Sequence, residues 1–131
     1  MIVLDTHAWL WWVNSVPDAL PAPLLDKLES AGTRVGVASI SCLEVALLAR
    51  KGRIELPCAL NRWFALALGE SQIELLPLTP EIATASTVLP DIHKDPADRI
   101  IIATAQSHSA TLATADETIR RYPNLDVTWQ S

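Results

Sequence analysis

Four acids in this chain stand where a carboxylate can do more than solvate a surface. Asp5 follows the apolar run Ile2-Val3-Leu4, and Asp116 follows the run from Thr111 to Ala115. Glu44 and Asp98 fall in the first turns of two helix-like segments, Ser41-Cys42-Leu43-Glu44 and Asp95-Pro96-Ala97-Asp98. In an open parallel sheet ligands bind beyond the carboxyl ends of the strands, so positions just past strands can converge on one crevice. Carboxylates gathered there raise one another's pKa and stay ionised only if a cation neutralises them. A hard divalent ion suits such a set. Mg2+ takes oxygen ligands, keeps several waters and binds through a few carboxylates together with substrate phosphate. The chemistry implied is hydrolysis of a phosphate ester, with one or two ions lowering the pKa of a water and stabilising charge on the phosphate.

Each of these residues also has a plainer reading. Glu44 and Asp98 could be third-position acids of helix starts, bonding a capping amide and complementing the macrodipole. Asp116 could be a turn acid, and its neighbour Glu117 could close a Thr114-Ala115-Asp116-Glu117 capping box. Asp5 is harder to explain away, because an acid ending a buried strand beside Trp9 and Trp12 ionises at a cost unless it has a partner. His7, His93 and His108 show no metal-ligand spacing and read as structural or solvated side chains. Arg50, Lys51 and Arg53 bracket Gly52 at a helix end, where they could contact nucleic-acid phosphates or simply complement the helix C-terminus. Arg99 could pair with Asp95 or reach a phosphate. Trp9 and Trp12 share a helix face by their spacing and read as core, whereas Trp11 points elsewhere, towards a partner surface or a stacked base.

The elements that must position these residues are legible as an alternation of short apolar runs with longer segments of helical period. The runs Ile2-Val3-Leu4, Val35-Gly36-Val37-Ala38, Ile73-Glu74-Leu75-Leu76, Thr111-Leu112-Ala113-Thr114 and Val127-Thr128-Trp129 predict five strands. Helices are expected over 6–14, 22–31, 41–51, 58–69, 80–88, 97–108 and 116–121. Ser41 and Glu44 have the spacing of a capping box; Thr79-Pro80 and Asp95-Pro96 each put a capping side chain before a proline at the first helical position. Such alternation predicts an α/β fold with a mainly parallel sheet. With no internal repeat and no linker composition, the 131 residues read as one domain, 1–131.

Composition excludes several classes. Half of the residues are hydrophobic, which is outside the signature of disorder. Yet the longest apolar runs, Ala8 to Val13 and Trp63 to Leu68, fall far short of the about 20 residues of a spanning helix. No secretory signal precedes Asp5, so a cytoplasmic location without membrane contact is expected. Cys42 and Cys58 form neither a C-x-x-C pair nor a disulfide framework and read as buried reduced thiols. Glycine at only 32, 36, 52 and 69 leaves no dinucleotide or P-loop signature. The net charge of −5 argues at first against a nucleic-acid partner. Setting the four site acids aside, however, leaves eleven acids against ten bases, so the excess is local to the predicted metal pocket.

In order along the chain, Leu4-Asp5-Thr6-His7 with Trp9 and Trp11, Ser41-Cys42-Leu43-Glu44 leading to Arg50-Lys51-Gly52-Arg53-Ile54-Glu55-Leu56, His93-Lys94-Asp95-Pro96-Ala97-Asp98-Arg99, and Leu112-Ala113-Thr114-Ala115-Asp116 together resemble a PIN-domain ribonuclease of the VapC toxin type. The H-x-D-P-x-D-R segment is similar to that of one subgroup. The resemblance implies a three-layer α/β/α fold, a site holding one or two Mg2+ or Mn2+ ions and endonucleolytic cleavage of RNA. It places the ligands at Asp5, Glu44, Asp98 and Asp116, with Asp95 and Glu117 as supporting acids, Glu117 competing with Asp116 for the fourth position, and Thr114 orienting a bound water. It further implies the toxin of a type II toxin–antitoxin pair, a homodimer silenced by a cognate antitoxin whose C-terminal segment enters the groove. Two related readings are a housekeeping RNA-processing nuclease without an antitoxin and a catalytically silent PIN-like binding module. Two unrelated ones fit less well: a phosphoaspartyl phosphatase needs an acid at position 7, which is His7, and a receiver domain needs a lysine after a late strand, whereas the last lysine is Lys94.

Overall fold

The computed structural model describes residues 1–129; the last two positions of the expected 1–131 domain lie outside them. Five short strands, β1 (Ile2–Leu4), β2 (Val35–Ala38), β3 (Glu74–Leu76), β4 (Thr111–Ala113) and β5 (Asp126–Thr128), form one sheet in the order β3-β2-β1-β4-β5. Every pairing is parallel, with Leu4 opposite Val37 on one side and Ala113 on the other. Six α-helices connect them: α1 (Thr6–Val13), α2 (Ala22–Glu29), α3 (Ile40–Arg50), α4 (Leu60–Phe64), α5 (Pro80–Thr87) and α6 (Pro96–Ser107).

Alternation along the strands divides the core in two, because successive side chains point to opposite faces. Ile2, Leu4, Val35 and Val37 pack with Trp9, Leu24, Leu28, Val45 and Trp63 from α1 to α4. Val3, Ala38, Leu76 and Leu112 pack on the other face with Ile101, Ile102 and Ala105 of α6 and with Ile119 and Tyr122. Both faces are therefore covered, which gives the three layers and explains why β1 and β2 are buried at every position. The two large buried aromatics keep their polar edges satisfied: Trp9 Nε1 donates to the Ala67 carbonyl at 3.3 Å and Trp63 Nε1 to Asn14 Oδ1 at 2.8 Å.

Four sequence expectations are corrected. The predicted helix over 58–69 is α4 followed by a wider π-type turn, Ala65–Glu70, and the helix over 116–121 is a single 3-10 turn, Ile119–Arg121. The capping box Ser41-Cys42-Leu43-Glu44 does not form, because α3 begins earlier, with Ser39 at the cap, which puts Ser41 in the first turn facing the interior. Finally, Cys42 and Cys58 are free but half-buried rather than buried. Thr79 and Asp95 do cap their helices, accepting from the Ile82 and Ala97 N–H groups.

Candidate active site

The strand order fixes where a crevice can open. From β1 the chain moves outward through β2 to β3, then returns to place β4 on the other side of β1 and continues to β5. The reversal at β1/β4 is a topological switch point, where the loops leaving adjacent strands part. A cavity of about 480 Å³ lies there, lined by Asp5 from the end of β1, Glu44 from α3, Asp95 and Asp98 from the start of α6 and Asp116 from the loop after β4. Oxygens of Glu44, Asp95 and Asp98 lie within 4.8 Å of one another. Glu117 is exposed and does not line the cavity.

Local structure supplies each acid in a different way. Asp5 is the N-cap of α1, a role that the sequence reading missed: its Oδ1 accepts from the Ala8 N–H at 2.9 Å, which leaves the second oxygen outside the cap. Burial pushes its pKa up, and the Thr114 side chain and the Ala8 N–H oppose that by hydrogen bonding to the ionised form. Thr114 is itself buried and accepts from the Asp116 N–H at 3.1 Å. Thus one hydroxyl links the acids that follow β1 and β4. The Thr114–Glu117 capping box is absent; instead Asp116 Oδ1 accepts from the Thr118 N–H at 2.8 Å.

Glu44 lies one turn into α3, beyond reach of the capping amides, and is held from another helix. The buried Thr6 hydroxyl donates to Glu44 Oε1 and lies 2.9 Å from the Ser41 hydroxyl. Since Thr6 has one proton, which goes to the carboxylate, the Ser41 hydroxyl is the donor in the second bond. Glu44 has a raised pKa, chiefly through burial, with Asp95 and Asp5 adding repulsion.

Asp98 is displaced well above its ordinary titration. Burial, followed by the charges of Asp95 and Glu44, pushes it up to about 7. As the third residue of α6 it has the position of a capping-box acid, whose task is to bond the Asp95 N–H. That N–H donates instead to His93 Nδ1 at 3.2 Å, and Asp98 turns to the cavity. His93 Nε2 stands 3.1 Å from Asp98 Oδ2 and 3.2 Å from Asp116 Oδ2. The sequence offered no metal-ligand spacing for His93, and its position was legible only in its two-residue offset from the capping Asp95. His7 and Trp11 also border the cavity, with ring centroids 5.7 Å apart.

Arg99 has partners other than those expected from sequence. Its guanidinium donates to four main-chain carbonyls, those of Ser86, Leu89, Pro90 and His93, at 2.8–3.1 Å. The side chain is 13% exposed and makes neither the Asp95 pair nor a surface-directed cation; the loop between α5 and α6 consumes its donors. Arg50, Lys51 and Arg53 are exposed around Gly52, outside the cavity, and make no salt bridge among the described residues.

The donor set is what a hard cation requires. The cavity lining carries five carboxylates and the imidazole of His7, sulfur is absent from it, and burial, with repulsion among the acids added, raises three of them. No helix among the described residues is long and apolar enough to cross a membrane.

Comparison with known proteins agrees with this architecture. The PIN domain family model matches residues 2–125. The chain is 34% identical over 131 residues to Ribonuclease VapC22 of Mycobacterium tuberculosis (strain ATCC 25618 / H37Rv), covering 98% of each. Its fold is similar to that of a chain in the complex of VapBC2 from Rickettsia felis with a promoter DNA fragment, with a TM-score of 0.71, 19% identity and 98% and 99% of the two chains covered. VapBC-1 from nontypeable Haemophilus influenzae is similar at a TM-score of 0.69 and 17% identity, covering 98% and 97%. With a family match along nearly the whole chain and the sheet order and acid cavity now described, the chain belongs to the PIN domain family.

Proposed function

We propose that this protein is a metal-dependent endoribonuclease that hydrolyses RNA phosphodiester bonds, and that it is the toxin of a toxin–antitoxin pair. The observation that carries the reading is the convergence of Asp5, Glu44, Asp98 and Asp116, from four separate chain segments, on one cavity at the switch point of the sheet. These four residues would hold one or two Mg2+ or Mn2+ ions, with Asp95 beside them. When bound, the metal supplies Lewis-acid chemistry: it lowers the pKa of a water and neutralises charge developing on the phosphate and the leaving oxygen.

The chain's own residues do the rest. Burial disfavours the ionised acids until a cation compensates them, which ties the charged form of the site to the loaded state. Thr6 and Thr114 fix the directions of Glu44 and Asp5. Thr114, already bonded to the Asp116 N–H, would in this reading also orient a water between the acids. Arg50, Lys51 and Arg53 offer exposed cations to the phosphates of a bound strand, a contact that positions RNA without reading its sequence. The near balance of charge outside the four acids removes the electrostatic objection to an RNA partner.

The toxin role rests on the relatives. Ribonuclease VapC22 shares 34% of its residues with this chain, and the solved neighbours are toxin–antitoxin complexes. We take a cognate antitoxin as its partner on the strength of these relatives, and propose in addition that the protein is a homodimer. The deciding experiment uses purified protein free of any partner, a single-stranded or looped RNA, and Mg2+ or Mn2+. Cleavage that stops on chelation is the expected result, and undiminished cleavage in chelator overturns the metal mechanism. A short upstream reading frame encoding a DNA-binding segment with an amphipathic tail supports the toxin role. An isolated gene with no growth effect on induction points to a housekeeping nuclease instead.

A further inference from the structure

His93 lies against two of the acids just assigned to the metal, and an imidazole in that place can either ligate the ion or orient its ligands. The protein around the ring decides between them. Nδ1 accepts a hydrogen bond from the Asp95 main-chain N–H at 3.2 Å, and that N–H is fixed by the cap of α6. A neutral imidazole carries one proton. For Nε2 to present a lone pair to a metal, the proton would have to move to Nδ1 and confront the Asp95 N–H, donor against donor. Histidines that ligate metals have the opposite arrangement, with the second ring nitrogen donating to a carboxylate, a carbonyl or a water. Here the second nitrogen accepts, so the proton is on Nε2, which lies 3.1 Å from Asp98 Oδ2 and 3.2 Å from Asp116 Oδ2.

We propose that His93 is a positioning residue of the site: as the Nε2–H tautomer it donates to Asp116, stands 3.1 Å from Asp98, and sets the direction in which both carboxylates meet the metal. This rests on the metal reading of the four acids. The ring is built in rather than lodged by chance. Its main-chain N–H donates to the Tyr122 hydroxyl at 2.8 Å, and its carbonyl accepts from Arg99 at 3.1 Å. Tyr122 is buried and Arg99 is locked to three further carbonyls. Asp116 is thereby gripped at both oxygens, by the Thr118 N–H and by His93, whereas Asp98 keeps Oδ1 clear of protein donors. The spacing in His93-Lys94-Asp95-Pro96-Ala97-Asp98-Arg99 then has a physical account. His93 takes the amide that would otherwise hold Asp98 in a capping box, Asp98 is released to the cavity, and Arg99 returns to hold His93.

Long-range 15N–1H correlation spectra of the metal-free protein, with His93 assigned by comparison with His93→Gln, should show a proton on Nε2 and none on Nδ1. The Nδ1–H form overturns the proposal. Calorimetric titration with Mn2+ alone should show binding weakened about 10–100-fold in His93→Ala, the usual effect of losing a partner behind the ligands. His93→Gln, whose amide nitrogen reaches the place of Nε2, should recover most of that loss. Unchanged Mn2+ affinity in His93→Ala overturns the proposal, as does pulsed electron paramagnetic resonance showing a nitrogen bonded directly to Mn2+ in the unsubstituted protein. Should His93→Ala not fold, His93→Gln and the two spectra of the unsubstituted protein decide. If Mn2+ does not bind at all, the metal reading of the acids fails and the positioning role falls with it, whereas Mn2+ binding together with the Nδ1–H form overturns the role of His93 alone.

Discussion

The hydroxyl of Thr6, the first residue of α1, donates to the carboxylate of Glu44 on α3, across 38 residues of sequence. The same hydroxyl accepts from Ser41, so a buried serine and a site acid depend on one threonine. Thr6→Val keeps the shape but removes donor and acceptor together. It should cost about 1–3 kcal/mol, the penalty for leaving the buried Ser41 hydroxyl without a partner, and should weaken Mn2+ binding. Thr6→Ser should retain both properties. Urea unfolding and metal titration of the two variants check this, and a Thr6→Val protein as stable as its parent contradicts it.

Glu44→Gln separates two roles that the sequence left open. A capping acid would be replaced well by glutamine, but Glu44 bonds no capping amide. The variant should therefore fold normally, and the metal-free protein should be no less stable than its parent, because a charge repelled by Asp95 and Asp5 has been removed. RNA cleavage should fall to background. Thermal unfolding and a cleavage assay under saturating Mg2+ test both halves, and full activity removes Glu44 from the site.

Much of this was legible because local signals and burial agree. The runs Ile2–Leu4 and Val35–Ala38 are apolar throughout, as strands covered on both faces must be, and Thr79 and Asp95 announce their helices by capping chemistry before proline. What sequence misplaced depended on distant partners. Ser41 and Glu44 have the spacing of a capping box, yet Thr6, from another helix, draws both inward. Arg99 has an acid next to it in sequence and spends its donors on carbonyls up to 13 residues away. His93 is the same lesson within the site, since nothing in its local pattern reveals that Asp116, 23 residues later, is its partner.

The pKa of Asp98 gives the metal-free protein a definite response to pH. Its folded value, raised to about 7 mainly by burial, lies above the ordinary carboxylate range near about 4. Between those limits the folded state binds more protons than the unfolded, so stability must fall as pH rises through the window, and the loss is complete above about 7. Asp5 and Glu44 are raised and act in the same direction. Thermal scans in chelator should show a midpoint that declines from mildly acidic to mildly alkaline pH. If the proposed site takes Mg2+ through its ionised acids, the midpoint gain that saturating Mg2+ produces should be larger at pH 8 than at pH 5. A gain independent of pH would mean that the ion binds elsewhere.

Arg99 is the structural counterpart of His93, and lysine is the substitution that exposes why. A guanidinium presents donors from three nitrogens in a rigid fork, and here the fork reaches the carbonyls of Ser86, Leu89, Pro90 and His93 at once. An ammonium keeps the charge but offers its donors from a single point, so Arg99→Lys must leave some of these carbonyls without a partner. The expected cost is about 1–3 kcal/mol in unfolding free energy. Because one of the carbonyls the fork holds belongs to His93, the loop between α5 and α6 should lose amide protection before the rest of the domain, and Mn2+ affinity should fall with the charge of the site unchanged. Hydrogen exchange resolved by segment, read beside a Mn2+ titration, tests the link. Slow exchange across residues 88–95 in Arg99→Lys would show that the loop holds without the fork. Conversely, rapid exchange with undiminished Mn2+ affinity would show that the loop does not set the metal ligands.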